Sequence, residues 1–192
     1  MSLIVAIDGP AGAGKSTVAK TLAGVLGVPF LDTGAMYRAI TWRALSEGVA
    51  IEDEASCAAL ALKTQLSFSP DGICVDGVPR ELEVRSPEVD RAVSIVAAHS
   101  GVRAAIVPLQ QGMAAEAGGA VAEGRDITTV VFPEAEHRFF LSASPEERAR
   151  RRTLQRGAEG SFEAVLADIK RRDHLDSTRA DSPLMRGEGV SV

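Results

Sequence analysis

Aromatic residues are scarce in this 192-residue chain: one Trp, one Tyr and six Phe make up 4% of it. With so few large rings, a core must be built mainly from Ala, Val, Leu and Ile, drawn from the 45% of residues that are hydrophobic. Cysteine is scarcer still. Cys57 and Cys74 form no C-x-x-C pair, and none of the three histidines completes a metal-ligand spacing with them. A disulfide scaffold and a cysteine-based zinc site are thereby excluded, and two packed free thiols in a reducing cytoplasm are expected. No apolar run approaches the ~20 residues that a membrane span needs. Met1-Ser2-Leu3 leads directly into a strand, which leaves no room for a signal peptide. Net positive charge is also lacking. A formal charge of -5 at pH 7 argues against binding nucleic acid through a global field, so any anion must be held by local clusters. The expectation is a cytoplasmic monomer with no nucleic-acid and no membrane partner.

What is present reads as alternating strand and helix. Residues 3–8 are a short apolar run ending in Asp8, bounded by Gly9 and Pro10, as for a buried parallel strand. Residues 16–26 carry Val18, Ala19, Leu22, Val25 and Leu26 at helical spacing, with Gly27 as a stop. Residues 29–32 read as a second strand and 35–46 as a helix ending near Gly48. This alternation predicts a doubly wound α/β fold. The pattern then changes: 66–68, 73–75 and the region around Val84 are β-like. They are separated by Ser69-Pro70-Asp71-Gly72 and Asp76-Gly77-Val78-Pro79, both turn signals. A small antiparallel insert over about 66–89 is predicted. Residues 93–116 are helical with breaks near Pro108 and Gly112, 120–123 and 137–142 are strands, and 144–156 and 162–175 are helices. Ser144, Pro145 and Glu147 form a helix start with a capping box. Residues 189–192 are a candidate fifth strand.

The first chemical signal is Gly9-Pro10-Ala11-Gly12-Ala13-Gly14-Lys15-Ser16, which matches G-x-x-x-x-G-K-[ST]. It follows a predicted buried strand and opens a predicted helix, the context a P-loop requires. Its glycines let backbone N–H groups close around phosphate, and the helix adds the positive end of its dipole. In that role Lys15 reaches the β- and γ-phosphates of a nucleoside triphosphate and the Ser16 hydroxyl ligates Mg²⁺. Thr17 is either an α-phosphate contact or a first-turn residue.

Several charged groups point to a second anion. Asp32-Thr33-Gly34-Ala35-Met36-Tyr37-Arg38 follows the second strand, where ligands of open parallel sheets sit. Asp32 and Thr33 are candidate N-caps, with Tyr37 and Arg38 expected in the first helical turn. Arg38 can hold a phosphate by a charge-assisted bond, or be an exposed arginine on a capped helix. Arg125 and Asp126, in Glu123-Gly124-Arg125-Asp126, are either a structural ion pair or a phosphate ligand beside a base-reading carboxylate. Arg148, Arg151 and Arg152 share a helix face, where like charges repel by a few tenths of a kcal/mol. They are either a solvated basic face or a lid that closes over ATP phosphates. Arg172, Asp173, Asp176 and Arg179 are equally open to surface salt bridges or substrate contacts. Together the groups fit phosphoryl transfer, which needs two anions held in line with water excluded and little covalent help from protein. The absence of an obvious catalytic His or Cys agrees with that.

The sequence resembles the bacterial cytidylate kinases, of the nucleoside monophosphate kinase group. The resemblance runs from Leu3 to about Leu184, on the blocks 7–17, 31–38, 124–127, 129–133, 141–149, 172–173 and 176–180. It implies a single-domain P-loop kinase fold. A five-stranded parallel CORE carries helices on both faces, with an NMP-binding region over about 33–92, the β insert within it, and a LID over about 148–162. It implies transfer of the γ-phosphoryl group of ATP to CMP or dCMP, with Mg²⁺. Another small acceptor (UMP, AMP or shikimate) and a catalytically weak nucleotide-binding module are the alternatives. By resemblance, Ser94, Arg103 and Asp126 read cytosine, and Tyr37 and Asp176 meet the sugar. Arg38, Arg125 and Arg179 hold the CMP phosphate, with Thr33 near the nucleotide and Arg172 in the same region. Arg148, Arg151 and Arg152 are LID arginines around ATP, and Lys15, Arg125, Arg148 and Arg152 are the catalytic set. Two departures stand out. Thr128 occupies a position where the family usually has Gly, which is expected to shift the backbone beside Arg125 and Asp126. The chain also stops at Val192, where the family usually completes a last strand and adds a helix; an exposed sheet face is expected there.

Overall fold

A computed structural model describes residues 3–156 and 161–192. Along the chain run β1 (Leu3–Asp8), α1 (Lys15–Leu26), β2 (Phe30–Asp32), α2 (Thr33–Ser46), α3 (Glu54–Lys63), β3 (Leu66–Ser69), β4 (Gly72–Val75), β5 (Val78–Pro79), α4 (Pro87–Val96), α5 (Ser100–Glu116), β6 (Gly119–Gly124), β7 (His137–Phe140), α6 (Pro145–Arg156) and α7 (Phe162–Thr178). They fall into two units, one built from the chain up to Leu31 with Met113–Val192, the other from Asp32–Gly112.

In the first unit, β1 lies between β6 and β7 in a four-stranded sheet ordered β2-β6-β1-β7. Both ladders of β1 are parallel, with Val5 opposite Val121 on one side and His137 on the other. A strand flanked on both edges must be apolar on both faces, and Val5, Ala6 and Ile7 are buried. The chain leaves β1 toward one side of the sheet and reaches β7 on the other, so the turn after Asp8 opens at the switch point of a doubly wound sheet. Beyond β7 the described residues form no fifth strand where one was expected over 189–192; a single parallel bridge joins Phe139 to Ser191. There the Phe140 amide donates to the Ser191 carbonyl at 2.8 Å and the Ser191 amide to the Arg138 carbonyl at 3.0 Å.

The helical period of α1 is as expected, but its buried face is not. Lys15, Ala19 and Ala23 are buried, whereas Val18 and Val25 are exposed. Small residues let the helix lie close on Val5, Ile7 and Val121, with Leu22, Val28, Phe30 and Leu141 filling the margins. Larger side chains at 19 and 23 would lift the helix start away from the end of β1.

In the second unit, the Asp32 carboxylate caps α2 by accepting from the Ala35 amide at 3.0 Å. The helix therefore begins at Thr33, and Tyr37 and Arg38 lie in its second turn rather than its first. The antiparallel insert is real but shorter than expected: β3, β4 and β5 form a three-stranded sheet. The region around Val84 is a 3-10 turn, Glu83–Arg85, not a strand. The insert ladder holds no partner for it, and its amide donates locally to the Arg80 carbonyl at 3.0 Å. Helix α3 was not anticipated, although Asp53 is an N-cap that accepts from the Ser56 amide at 3.1 Å. The helical stretch before the third core strand breaks at 97–99, not at Pro108, which sits inside α5. The break has its own supports. His99 Nε2 lies 2.7 Å from the Ile51 carbonyl, and the Glu54 carboxylate takes the Gly101 amide at 3.0 Å in the first turn of α5. The axes of α4 and α5 differ by 100°. Among the described residues no single helix is long and apolar enough to cross a membrane.

Two glycines separate backbone constraint from mere flexibility. A Cβ on Gly119 would sit 2.6 Å from the Leu3 carbonyl oxygen at φ +153°, whereas a Cβ on Gly24 would meet nothing within 4 Å. Gly119→Ala is expected to lower unfolding free energy by about 3 kcal/mol, while Gly24→Ala, in helix α1, raises it by about 0.5–1 kcal/mol. Denaturant titration of both variants checks the opposite signs.

Candidate functional site

The motif at 9–16 forms the connection from β1 to α1. Gly9, Gly12 and Gly14 have φ of +147°, +79° and +99°, values that L side chains rarely adopt. Gly9 is also fixed by contact: a Cβ there would lie 2.1 Å from the Leu141 carbonyl oxygen. Within the loop the Ala13 amide donates to the Pro10 carbonyl at 3.3 Å. Lys15, buried at the start of α1, folds back so that Nζ donates to the Pro10 carbonyl at 3.0 Å. The Glu123 carboxylate, at the end of β6, stands 3.9 Å away. The ammonium is thus held over the loop by the Pro10 carbonyl and the Glu123 carboxylate. Ser16 and Thr17 are exposed at the first turn.

Helix α6 comes to the same loop. Ser144 Oγ accepts from the Glu147 amide at 3.2 Å, half of the expected capping box, while the Glu147 carboxylate pairs with Arg151 at 3.2 Å. Arg148 is buried. Its Nε donates to the Ala143 carbonyl at 2.9 Å and one terminal nitrogen to the Ala11 carbonyl of the loop at 3.1 Å. The Asp173 carboxylate of α7 receives its fork at 3.0 and 2.5 Å. The structure therefore uses Arg148 to bind α6, α7 and the phosphate loop together. Arg151 is closer to the outward arginine expected from the sequence: exposed, with a terminal nitrogen 3.9 Å from where a Gly14 Cβ would lie. Arg152 is half-buried. The expected LID over 148–162 includes 157–160, which lie outside the described residues.

At the end of β6, Arg125 Nε donates to the Asp176 carboxylate at 2.8 Å and a terminal nitrogen to the Gly124 carbonyl at 3.3 Å. Asp126 is buried and faces Arg179 at 3.4 Å, and Arg179 Nε donates to the Ser182 carbonyl at 2.6 Å. Arg172 and Asp176 are buried on α7. The structure thus brings Arg125, Asp126, Asp176 and Arg179 into one cluster of alternating charge. Behind it, Asp8 is buried and accepts from the Ile127 amide, the Thr128 amide and the Thr128 hydroxyl at 2.8, 2.7 and 2.7 Å. Burial pushes the Asp8 carboxyl up from its ordinary pKa, while those donors pull it down and the Asp126 charge pushes it up again.

The second unit holds its own set. Arg38 forms a 2.7 Å ion pair with Asp90 of α4 and donates to the Val84 carbonyl at 3.4 Å. The Arg103 guanidinium lies 5.7 Å from the centre of the Tyr37 ring. Thr33, Tyr37, Ser94 and Arg103 are all buried, far more than a set of solvated polar residues on helices would be. Sequence reasoning assigned no role to Asp90 or to the pairing of Asp173 with Arg148. An acid at 90 in a helix start reads as a dipole partner, and only the fold reveals the arginine it faces.

Among the described residues no group of three His, Cys, Asp or Glu could hold a metal ion. Ser16 offers one exposed hydroxyl at the loop, which fits an ion that takes most of its ligands from phosphate and water, as Mg²⁺ does.

Because Arg148 is buried and forked on Asp173, Asp173→Ala strands a desolvated cation. A loss of about 3 kcal/mol in unfolding free energy is expected, read by denaturant titration.

The sequence has close relatives. The family model described as Cytidylate kinase matches residues 5–192. A cytidylate kinase of Caldanaerobacter subterraneus is 47% identical over 99% of this chain and 86% of its own length. One from Mycobacterium leprae is 50% identical with the same coverage. A bifunctional pantoate ligase/cytidylate kinase of Parasynechococcus marenigrum is 51% identical over 95% of this chain, which spans 38% of that longer protein. A phosphate loop with its lysine held in place, the Arg125–Asp176 and Arg179–Asp126 pairs and a match across nearly the whole sequence agree with one another: the chain belongs to the cytidylate kinase family.

Proposed function

We propose that this protein transfers the γ-phosphoryl group of ATP to CMP or dCMP, giving ADP and CDP or dCDP. The observation that carries the reading is the pairing of a phosphate loop and pre-held Lys15 with clustered arginines whose carboxylate partners fix them in place. An oxygen of the CMP phosphate attacks the γ-phosphorus, the bond to the β–γ bridging oxygen breaks, and ADP leaves with that electron pair. Two polyanions must approach, so the protein's part is to offset charge and hold the reactants in line. The loop 9–16 binds the triphosphate, and Lys15 reaches its β- and γ-oxygens. Mg²⁺ bound with ATP, with Ser16 as a ligand, would supply further charge neutralisation.

On the acceptor side, Arg38, Arg125 and Arg179 hold the CMP phosphate. Asp126, Ser94 and Arg103 read the base, Tyr37 and Asp176 meet the sugar, and Thr33 and Arg172 complete the surroundings. Tyr37 and Arg103 support each other through their ring–guanidinium contact, which favours a common ligand over two independent surface roles. Arg151 and Arg152 reach ATP from α6, and Arg148 acts on the loop through the Ala11 carbonyl. The segment 148–162 is the LID, 33–92 the NMP-binding region, and the bridge at Ser191 the inner end of a fifth core strand.

A coupled assay with CMP, dCMP, UMP, AMP and shikimate tests the substrate. CMP or dCMP should turn over fastest, and faster turnover with UMP, AMP or shikimate would refute the assignment. Arg38→Ala and Arg179→Ala should each lower kcat/KM for CMP by ~10–100-fold, the worth of a charge-assisted bond of ~1.5–3 kcal/mol. Lys15→Ala should damage transfer to every acceptor.

A further inference from the structure

We propose that Asp8 and Thr128 form a positioning clamp that sets the acceptor segment Arg125-Asp126 against the end of β1. The inference rests on the assignment of Arg125 and Asp126 to CMP. Asp8 is the last residue of β1, fully buried, and immediately precedes the phosphate loop. Its carboxylate faces one short stretch of chain: Oδ1 accepts from the Ile127 amide, and Oδ2 accepts from both the amide and the hydroxyl of Thr128, all within 2.8 Å. A buried carboxylate is costly unless hydrogen-bonded, so the stretch is held where it can meet that need.

The stretch has an unusual shape. Residues Ile127–Val131 form a π-helical turn, a rare geometry with poor intrinsic support. The amides of Thr129, Val130 and Val131 converge on the Asp126 carbonyl at 3.4, 2.8 and 3.2 Å. Its first two residues are the ones bound to Asp8, so the turn is imposed from β1. Asp126 enters this turn directly, with its side chain toward Arg179 at 3.4 Å. One carboxylate thereby sets both the exit of the strand that leads into the donor loop and the entrance of the segment that carries acceptor ligands. Asp8 and Thr128 themselves act through Arg125 and Asp126. The hydroxyl bond is the part that a glycine at 128 would lack.

Thr128→Val removes the hydroxyl and keeps the β-branched shape, while Thr128→Ser keeps the hydroxyl. Steady-state constants for CMP and ATP, measured separately on the full chain, test the clamp. Thr128→Val should raise KM for CMP about tenfold, the value of one hydrogen bond to a charged group, and leave KM for ATP within about twofold. Thr128→Ser should behave as the parent. In an Asp8→Asn background, Thr128→Val should cost less than it does in the parent, because the two act as a pair. An unchanged KM for CMP in Thr128→Val, or an equal rise for ATP, overturns the clamp. If Asp8→Asn does not fold, the Val and Ser variants at 128 decide alone. Arg125→Ala, assayed alongside, separates the two levels. A raised KM for CMP in Arg125→Ala with Thr128→Val silent removes the clamp alone. An unmoved KM for CMP in Arg125→Ala removes the acceptor assignment and the clamp together.

Discussion

Buried positive charge is tolerable only beside negative charge, and much of this structure follows from that constraint. Lys15 stands by Glu123, Arg38 by Asp90, Arg125 by Asp176, Arg148 by Asp173 and Arg179 by Asp126. Most of these side chains are nearly inaccessible, and a desolvated cation alone would cost several kcal/mol. The partners come from different elements: strand ends, the start of α4, and α7. Folding the elements together and assembling the cation sites are therefore one process. It also explains how a chain with a net charge of -5 can present sites for polyanions. Its acids are spent locally on holding the cations, and no global positive field is required.

A second constraint is closeness of backbone. The phosphate loop can sit against the end of β7 because Gly9 has no side chain to strike the Leu141 carbonyl. Helix α1 can start low over the sheet because Ala19 and Ala23 face it. With few aromatic rings available, the first unit gains its packing from many small contacts rather than from a few large ones, and that choice leaves the loop well supported from beneath.

The parts legible in the sequence were those governed by local rules. The β1–loop–α1 unit could be read because a strand, a glycine pattern and a helix start each carry their own signal. The hairpins at 69–72 and 76–79 were announced by Gly and Pro. Val84 misled because a lone β-branched residue between charged neighbours has no partner strand, and pairing is a non-local property. Pro108 misled because α5 continues through it despite the lost donor and the ring clash, whereas the true break at 97–99 is stabilised by Ile51 and Glu54, far away in sequence. The site shows the same division. Arg38, Arg125 and Arg179 stood out as charged residues near strand and helix ends, while the role given to them came from the family resemblance. Asp90 and Asp173 could not be assigned, because their meaning lies in the arginines they face. Thr128 looked like a disturbance, yet its hydroxyl and amide both serve the Asp8 carboxylate.

The fork between Arg148 and Asp173 has a consequence for how this protein can diverge. Asp173 changed alone leaves the buried Arg148 cation uncompensated, whereas Arg148 changed alone leaves a carboxylate that water still reaches, so the two single steps differ in cost. A lineage can therefore exchange the pair more readily by losing Arg148 first, and an early loss of Asp173 is survivable only after unrelated gains in stability. The residue that ties the phosphate loop to its flanking helices is thus protected by what it does for the loop, and its partner by the charge it compensates.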